Sequence, residues 1–181
     1  LWQEFKPGSS GHAELQAYMD NMAYTGSGSV YVSDAEVASM YDIFDGSTSY
    51  DKGAWVLHML RHVLGDMNFF DTLAAYRAAY AGDAATTEDF QAICEPYYGD
   101  TLDWFFQEWV YGQYAPAYSY GWSATNVGGQ DYLLLYLDQT QSTSIQRFTM
   151  PIDVVVDGVT HAVFNDHDPE YFVIPVDSTP T

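Results

Sequence analysis

Basic residues are scarce in this chain. Five Lys and Arg stand against 25 Asp and Glu, for a formal net charge of −20. Such a surface repels phosphate backbones and anionic lipid headgroups, which excludes nucleic acid and membrane surfaces as natural partners. The acids are scattered rather than clustered, so they read as a solubilising surface ahead of an electronegative cleft for the α-ammonium group of a peptide. Cysteine is reduced to Cys94, which rules out an intramolecular disulfide. Its setting, Phe90-Gln91-Ala92-Ile93-Cys94, reads as a buried helical face and the thiol as a small core group. No apolar run approaches the ~20 residues that a membrane-spanning helix needs. Leu1-Trp2-Gln3-Glu4 has neither the basic stretch nor the apolar core of a signal peptide. With no initiator Met, the chain is expected to be a piece excised from a longer protein. Internal repeats, a phosphate-cradling glycine loop, a dinucleotide fingerprint and a Ser-His-Asp arrangement are all missing.

What is present is enough apolar material for a packed core, 48% of 181 residues. The hydrophobic period changes near Pro116. Before it the pattern is helical. Leu1 to Phe5 reads as a helix end stopped by Lys6-Pro7-Gly8. Gly11 to Tyr24 predicts a helix with Leu15, Tyr18, Met19 and Met22 on one face, and a short turn is expected around Ala35 to Tyr41. From Gly53 the residues Trp55, Val56, Met59, Leu60, Val63 and Leu64 recur at three- and four-residue spacing, with Gly65 as the stop. Asp66 is expected to cap the next helix, with Phe69, Phe70, Leu73, Tyr76 and Tyr80 inward. Thr86-Thr87-Glu88-Asp89 opens another, and Leu102, Phe105, Phe106 and Trp109 form the stripe of the last, ended by Gly112. Beyond Pro116, strands are predicted over Asp131–Leu137, Pro151–Val156, Val159–Phe164 and Tyr171–Ile174, with Asp157-Gly158 as a hairpin turn.

Two local patterns invite a metal. His58-Met59-Leu60-Arg61-His62 puts two histidines at i and i+4, a spacing that chelates zinc. Met59 stands where a zinc peptidase needs its general-base Glu, and Arg61 adds a competing cation, so the reading is a solvated face opposite the apolar stripe. Asn165-Asp166-His167-Asp168-Pro169-Glu170 gathers oxygen ligands but lacks the twelve-residue calcium loop, and reads as a turn between strands.

Tyr50-Asp51-Lys52-Gly53-Ala54-Trp55-Val56-Leu57-His58-Met59-Leu60-Arg61 is, taken alone, a helix start with an exposed Tyr before it. The segment resembles the membrane alanyl aminopeptidase family of gluzincin zinc peptidases, in which Tyr-x-Lys-Gly precedes a long helix. The likeness continues through Leu64-Gly65-Asp66, Phe69-Phe70, Tyr76-Arg77, Thr87-Glu88-Asp89-Phe90, Gly99 to Trp109 and Pro116-Ala117-Tyr118. The resemblance implies an α+β chain in two parts. Residues 1–115 would be the all-α, thermolysin-like C-terminal part of a catalytic lobe, and 116–181 a small antiparallel β-sandwich, truncated at its end. It implies one zinc in the parent protein, held by His-Glu-x-x-His and a downstream Glu, and peptide substrates with a free N-terminus. It maps the oxyanion-stabilising tyrosine onto Tyr50, with Gly53 expected to allow close backbone approach beside it. Leu1-Trp2-Gln3-Glu4-Phe5 resembles the context of the downstream Glu superficially, but the glycine is absent, so the ligand is expected upstream. No residue of this chain is expected to ligate a metal or cofactor, and the piece alone is expected to be inactive. The alternatives are a non-catalytic aminopeptidase-like scaffold, or a sandwich that binds carbohydrate or protein through an exposed aromatic platform. The low Lys and high Tyr, Ser and Thr content leans towards an extracytoplasmic protein.

Overall fold

Helical periodicity and strand periodicity sort the chain into two compact units, Leu1–Tyr114 and Ala115–Thr181. The computed structural model describes residues 2–142 and 147–180. Helices in the first unit and antiparallel strands in the second make the chain α+β.

The first unit comprises α1 (Trp2–Phe5), α2 (His12–Asn21), α3 (Met40–Ile43), α4 (Gly53–Leu64), α5 (Asp66–Tyr80), α6 (Thr87–Tyr98) and α7 (Asp103–Phe105). Two π-helical segments, Gly46–Lys52 and Phe106–Val110, run directly into α4 and out of α7. The core is built where the spacing predicts: Leu15 and Met19 of α2, Val56, Leu60 and Leu64 of α4, and Leu102, Phe105, Phe106 and Trp109. Burying one such side chain contributes about 1.5–3 kcal/mol. Cys94 is fully buried and burial pushes its thiol up to about 12, so it is an inert core group. Thr86 closes a capping box with Asp89 at the start of α6.

Three expectations are corrected. Tyr18 is exposed, because α2 buries only a narrow stripe. On α5 the fully buried polar position is Thr72, and Leu73, Tyr76 and Tyr80 stay half-covered. The α5 N-cap is Gly65 at φ 75°, which only glycine adopts readily, and the Asp66 carboxylate turns back to Arg61 rather than capping.

In the second unit β1 (Tyr118–Val127), β2 (Gln130–Gln139) and β5 (Glu170–Val176) form an antiparallel sheet in the order β1-β2-β5. β3 (Met150–Val156) and β4 (Val159–Asn165) form a separate hairpin sheet. The Asp157-Gly158 turn has positive φ at both residues, as a tight hairpin of this twist requires. Alternate residues Leu133, Leu135 and Leu137 of β2 meet Val156 of β3 and Ile174 and Val176 of β5 in one apolar cluster. No helix among the described residues is long and apolar enough to cross a membrane.

Candidate functional site

Tyr50 sits in the π-helical segment just before α4, and it is 55% exposed. Its hydroxyl has no hydrogen-bond partner among the described residues. The segment is fixed at its start by Asp45, whose carboxylate accepts from the backbone N–H groups of Ser47 and Thr48 at 2.9 and 2.7 Å and from the Thr48 hydroxyl at 3.0 Å. These bonds hold the Asp45 carboxyl below the usual carboxylate range, those from Thr48 above all. At the other end the N–H of Gly53 donates to the carbonyls of Thr48 and Tyr50. A groove of about 270 Å³ runs beside the segment, lined by Tyr24, Tyr31, Glu36, Asp45, Ser47 and Thr48 among others. Tyr50 itself is not among its lining residues.

Lys52 closes the segment from within. Its side chain is 4% exposed, and Nζ donates to the carbonyls of Gly28 at 3.0 Å and Gly112 at 2.8 Å. Burial draws its pKa down to about 8. Gly53 is not the tight contact expected of it. A Cβ there would meet nothing nearer than 3.9 Å, which is ordinary packing distance. The indispensable glycine is Gly112, where a Cβ would lie 2.1 Å from the carbonyl oxygen of Glu108.

Further along α4 the expected solvated face is corrected at Arg61, which is 6% exposed. Its guanidinium forks between Glu4 (2.6 and 3.2 Å) and Asp66 (2.7 and 2.9 Å) and lies over the Phe70 ring at 5.3 Å. Those bonds to Asp66 and Glu4 raise the Arg61 pKa further, and hold both carboxyls below their usual range. Glu4, the residue whose context resembled a ligand, is thereby committed to a cation. His62 is exposed. His58 is half-buried, edge-on to Trp55 with ring centroids 5.8 Å apart, and its pKa is lowered by burial and then by Arg61.

In the second unit Asp166, His167 and Glu170 are the only grouping of three potential metal-binding side chains among the described residues. Glu170 already accepts from the Asn165 side chain at 2.6 Å and from the backbone N–H groups of Asp166 and His167. The fully buried Asn165 also accepts from the Tyr118 hydroxyl at 2.9 Å and from Gln139 at 3.1 Å. The stretch behaves as a hydrogen-bonded turn between β4 and β5.

Reading the sequence singled out Tyr50 but did not foresee the two buried cations, Lys52 just before α4 and Arg61 in its last turn. Lys52 lies within the motif, so its position was visible and its burial was not.

A model described as the peptidase family M1 domain matches residues 5–109. Aminopeptidase M1-A of Oryza sativa subsp. japonica is 32% identical over 144 residues, 80% of this chain and 15% of its own length. Aminopeptidase M1-B of the same organism is 35% identical over 111 residues, 61% of this chain and 12% of its own. The crystal structure of Legionella pneumophila aminopeptidase A in complex with aspartic acid shares the fold over 87% of this chain and 18% of that one. Its TM-score is 0.67 at 14% identity. The chain therefore spans about an eighth to a sixth of the curated relatives' length.

Proposed function

The chain belongs to peptidase family M1, and on that premise we propose that it is part of a zinc-dependent aminopeptidase that removes N-terminal residues from peptides, with Tyr50 as its catalytic contribution. In this reading the first unit is the C-terminal part of a thermolysin-like catalytic lobe, and the second is a small β-sandwich whose two sheets share one apolar core.

The observation that carries the role of Tyr50 is its hydroxyl. A tyrosine that only packs buries its ring and ties its hydroxyl to a neighbour. Tyr50 does neither, although both ends of its segment are fixed. Attack on a peptide carbonyl places negative charge on the carbonyl oxygen. A neutral O–H aimed at that oxygen stabilises the charge as it forms and needs no ionisation of its own. Zinc, where bound in the whole protein, supplies an activated water for that attack. The described residues do not themselves fit a catalytic zinc. His58 and His62 lack a third ligand group and flank the Arg61 cation, and the Asp166 cluster is a surface turn. In this reading the chain alone is inactive.

In the full-length protein, Tyr50→Phe is expected to lower kcat by about 10²–10³-fold with little change in KM. Near-normal turnover by that variant, with its metal retained, would remove Tyr50 from this role.

A second reading has one observation in its favour. The outer face of the β1-β2-β5 sheet carries a groove of about 400 Å³ bordered by Trp122, Leu134, Tyr136, Tyr171 and Val173. Tyr136 and Tyr171 lie 4.9 Å apart between ring centroids, and Tyr171 is 74% exposed. Such a surface suits a binding module. Titration of the isolated second unit with oligosaccharides and extended peptides tests it, and no binding at millimolar concentration would reject it.

A further inference from the structure

A half-exposed tyrosine with an unpartnered hydroxyl is not positioned by its own contacts. Its accuracy has to come from the backbone that carries it, and catalytic groups need placement within about 0.5 Å. The segment 46–52 is an unusual carrier, because its π-type turns are a poorer intrinsic choice than α-helix and persist only where packing over-determines them.

The over-determination is concentrated on one atom. Lys52 is the last residue of the first π-helical segment, and Gly112 lies two residues past the end of the second. The Lys52 ammonium joins them directly through the Gly112 carbonyl and takes the Gly28 carbonyl as its second partner. The strands of chain that supply these carbonyls are laced together independently. The N–H groups of Val30 and Tyr31 both donate to Val110 O, at 3.1 and 3.2 Å, and Tyr114 N donates to Gly26 O at 3.1 Å. Gly28 N donates to the Gln113 side chain at 3.1 Å. The space admits nothing larger at the receiving residues. A Cβ on Gly28 would meet Thr48 Cγ2 at 2.7 Å, and one on Gly112 would meet the Glu108 carbonyl. No carboxylate bonds Lys52 among the described residues, so the ammonium serves as a clamp on two carbonyls rather than as half of an ion pair.

We propose that Lys52 is a positioning residue: its buried ammonium clamps the ends of the two π-helical segments together and thereby sets the place of the Tyr50 hydroxyl two residues earlier. The proposal rests on the catalytic reading of Tyr50 given above. Methionine at 52 keeps the aliphatic stem and leaves two buried carbonyls without a donor, so the segment relaxes around Tyr50. Misplacing a catalytic group by about 1 Å costs about 10²-fold in rate.

The test is steady-state kinetics on the full-length, metal-loaded protein with Lys52→Met, Tyr50→Phe and the double variant. Lys52→Met is expected to lose about 10–100-fold in kcat with KM within about threefold, because the lost contact acts mainly in the transition state. The double variant is expected to be no more than about twofold slower than Tyr50→Phe alone, because Lys52 has nothing left to position. A purely structural lysine would not show that silence. If Tyr50→Phe turns over normally, the reading of Tyr50 fails and this proposal goes with it. If Tyr50→Phe is crippled but Lys52→Met is near normal, or the two losses multiply, the clamp alone is overturned. Should Lys52→Met fail to fold, Lys52→Gln keeps two donors on a shorter stem and is read against the same outcomes.

Discussion

The two units bury polar groups in opposite ways. The helical unit hides full charges: Lys52 is held by carbonyls 24 and 60 residues away, and Arg61 by Glu4, 57 residues away, and by nearby Asp66. The β unit hides neutral amides, Gln139 and Asn165, which bond each other and take further partners at Phe148, Tyr118 and the turn after β4. Charge is the costlier thing to desolvate, and it is kept where geometry has to be specified rather than where stability is needed. The helical unit is also where an exposed hydroxyl is left unpartnered. In the β unit the buried amides close a network that pins the turn after β4 and offers no free group.

The sharpest way to break this contrast is to remove its largest charge. Arg61→Leu leaves the mostly buried Glu4 carboxylate without its cation, and is expected to destabilise the helical unit by about 3–5 kcal/mol. Denaturant unfolding followed by the fluorescence of Trp55, Trp104 and Trp109 reads it, and a loss below 1 kcal/mol would mean the fork is a surface ornament. The matching change in the β unit, Gln139→Leu, removes the two hydrogen bonds that the Gln139 side chain makes to the Phe148 backbone. It is expected to cost about 2–3 kcal/mol, measured by thermal unfolding of the second unit. A cost equal to that of Arg61→Leu would erase the distinction between charged and neutral burial.

Lys52 gives the comparison a pH axis. Its folded pKa of about 8 lies below the ordinary lysine value of 10.5. Below pH 8 the ammonium is charged in both the folded and unfolded states and its burial is a standing cost. Between pH 8 and 10.5 the folded state releases the proton first, so stability relative to Lys52→Met rises. Across that window the gain is expected to be about 1–3 kcal/mol, read as the difference in midpoint denaturant between the two proteins. A flat difference would show that the lysine keeps its ordinary pKa. Smaller still is the cap of α6, where Thr86→Ala loses the hydroxyl's half of the capping box and about 1 kcal/mol. At the low end, Gly53→Ala is expected to stabilise the start of α4 by about 0.5–1 kcal/mol, since an added Cβ makes only ordinary contacts there. A destabilising result would restore the close approach that the geometry denies.

Legibility from sequence followed locality. The α4 stripe, the capping box at Thr86 and the Asp157-Gly158 turn are decided by neighbours within four residues, and each was readable from residue order. β1 carries no period-two signal, because it is an edge strand whose residues are exposed on both faces from Ser119 to Ser123. Arg61 was assigned to the solvated face because α4 periodicity places it opposite the apolar stripe. That face is covered by Glu4 from a helix 57 residues earlier, a fact no helical wheel contains.

The same division holds at the candidate site. Residue order alone determined the helical and strand-forming parts of the chain, the family likeness and the choice of Tyr50, because periodicity, turn chemistry and motif spacing are properties of short stretches. Only the tertiary structure decided that Lys52 and Arg61 are buried, that Gly112 rather than Gly53 is sterically required, and that the Tyr50 hydroxyl is exposed and unpartnered among the described residues. Each of these depends on which distant backbone arrives beside a side chain, and a buried charge takes its meaning from the partners that displace its water.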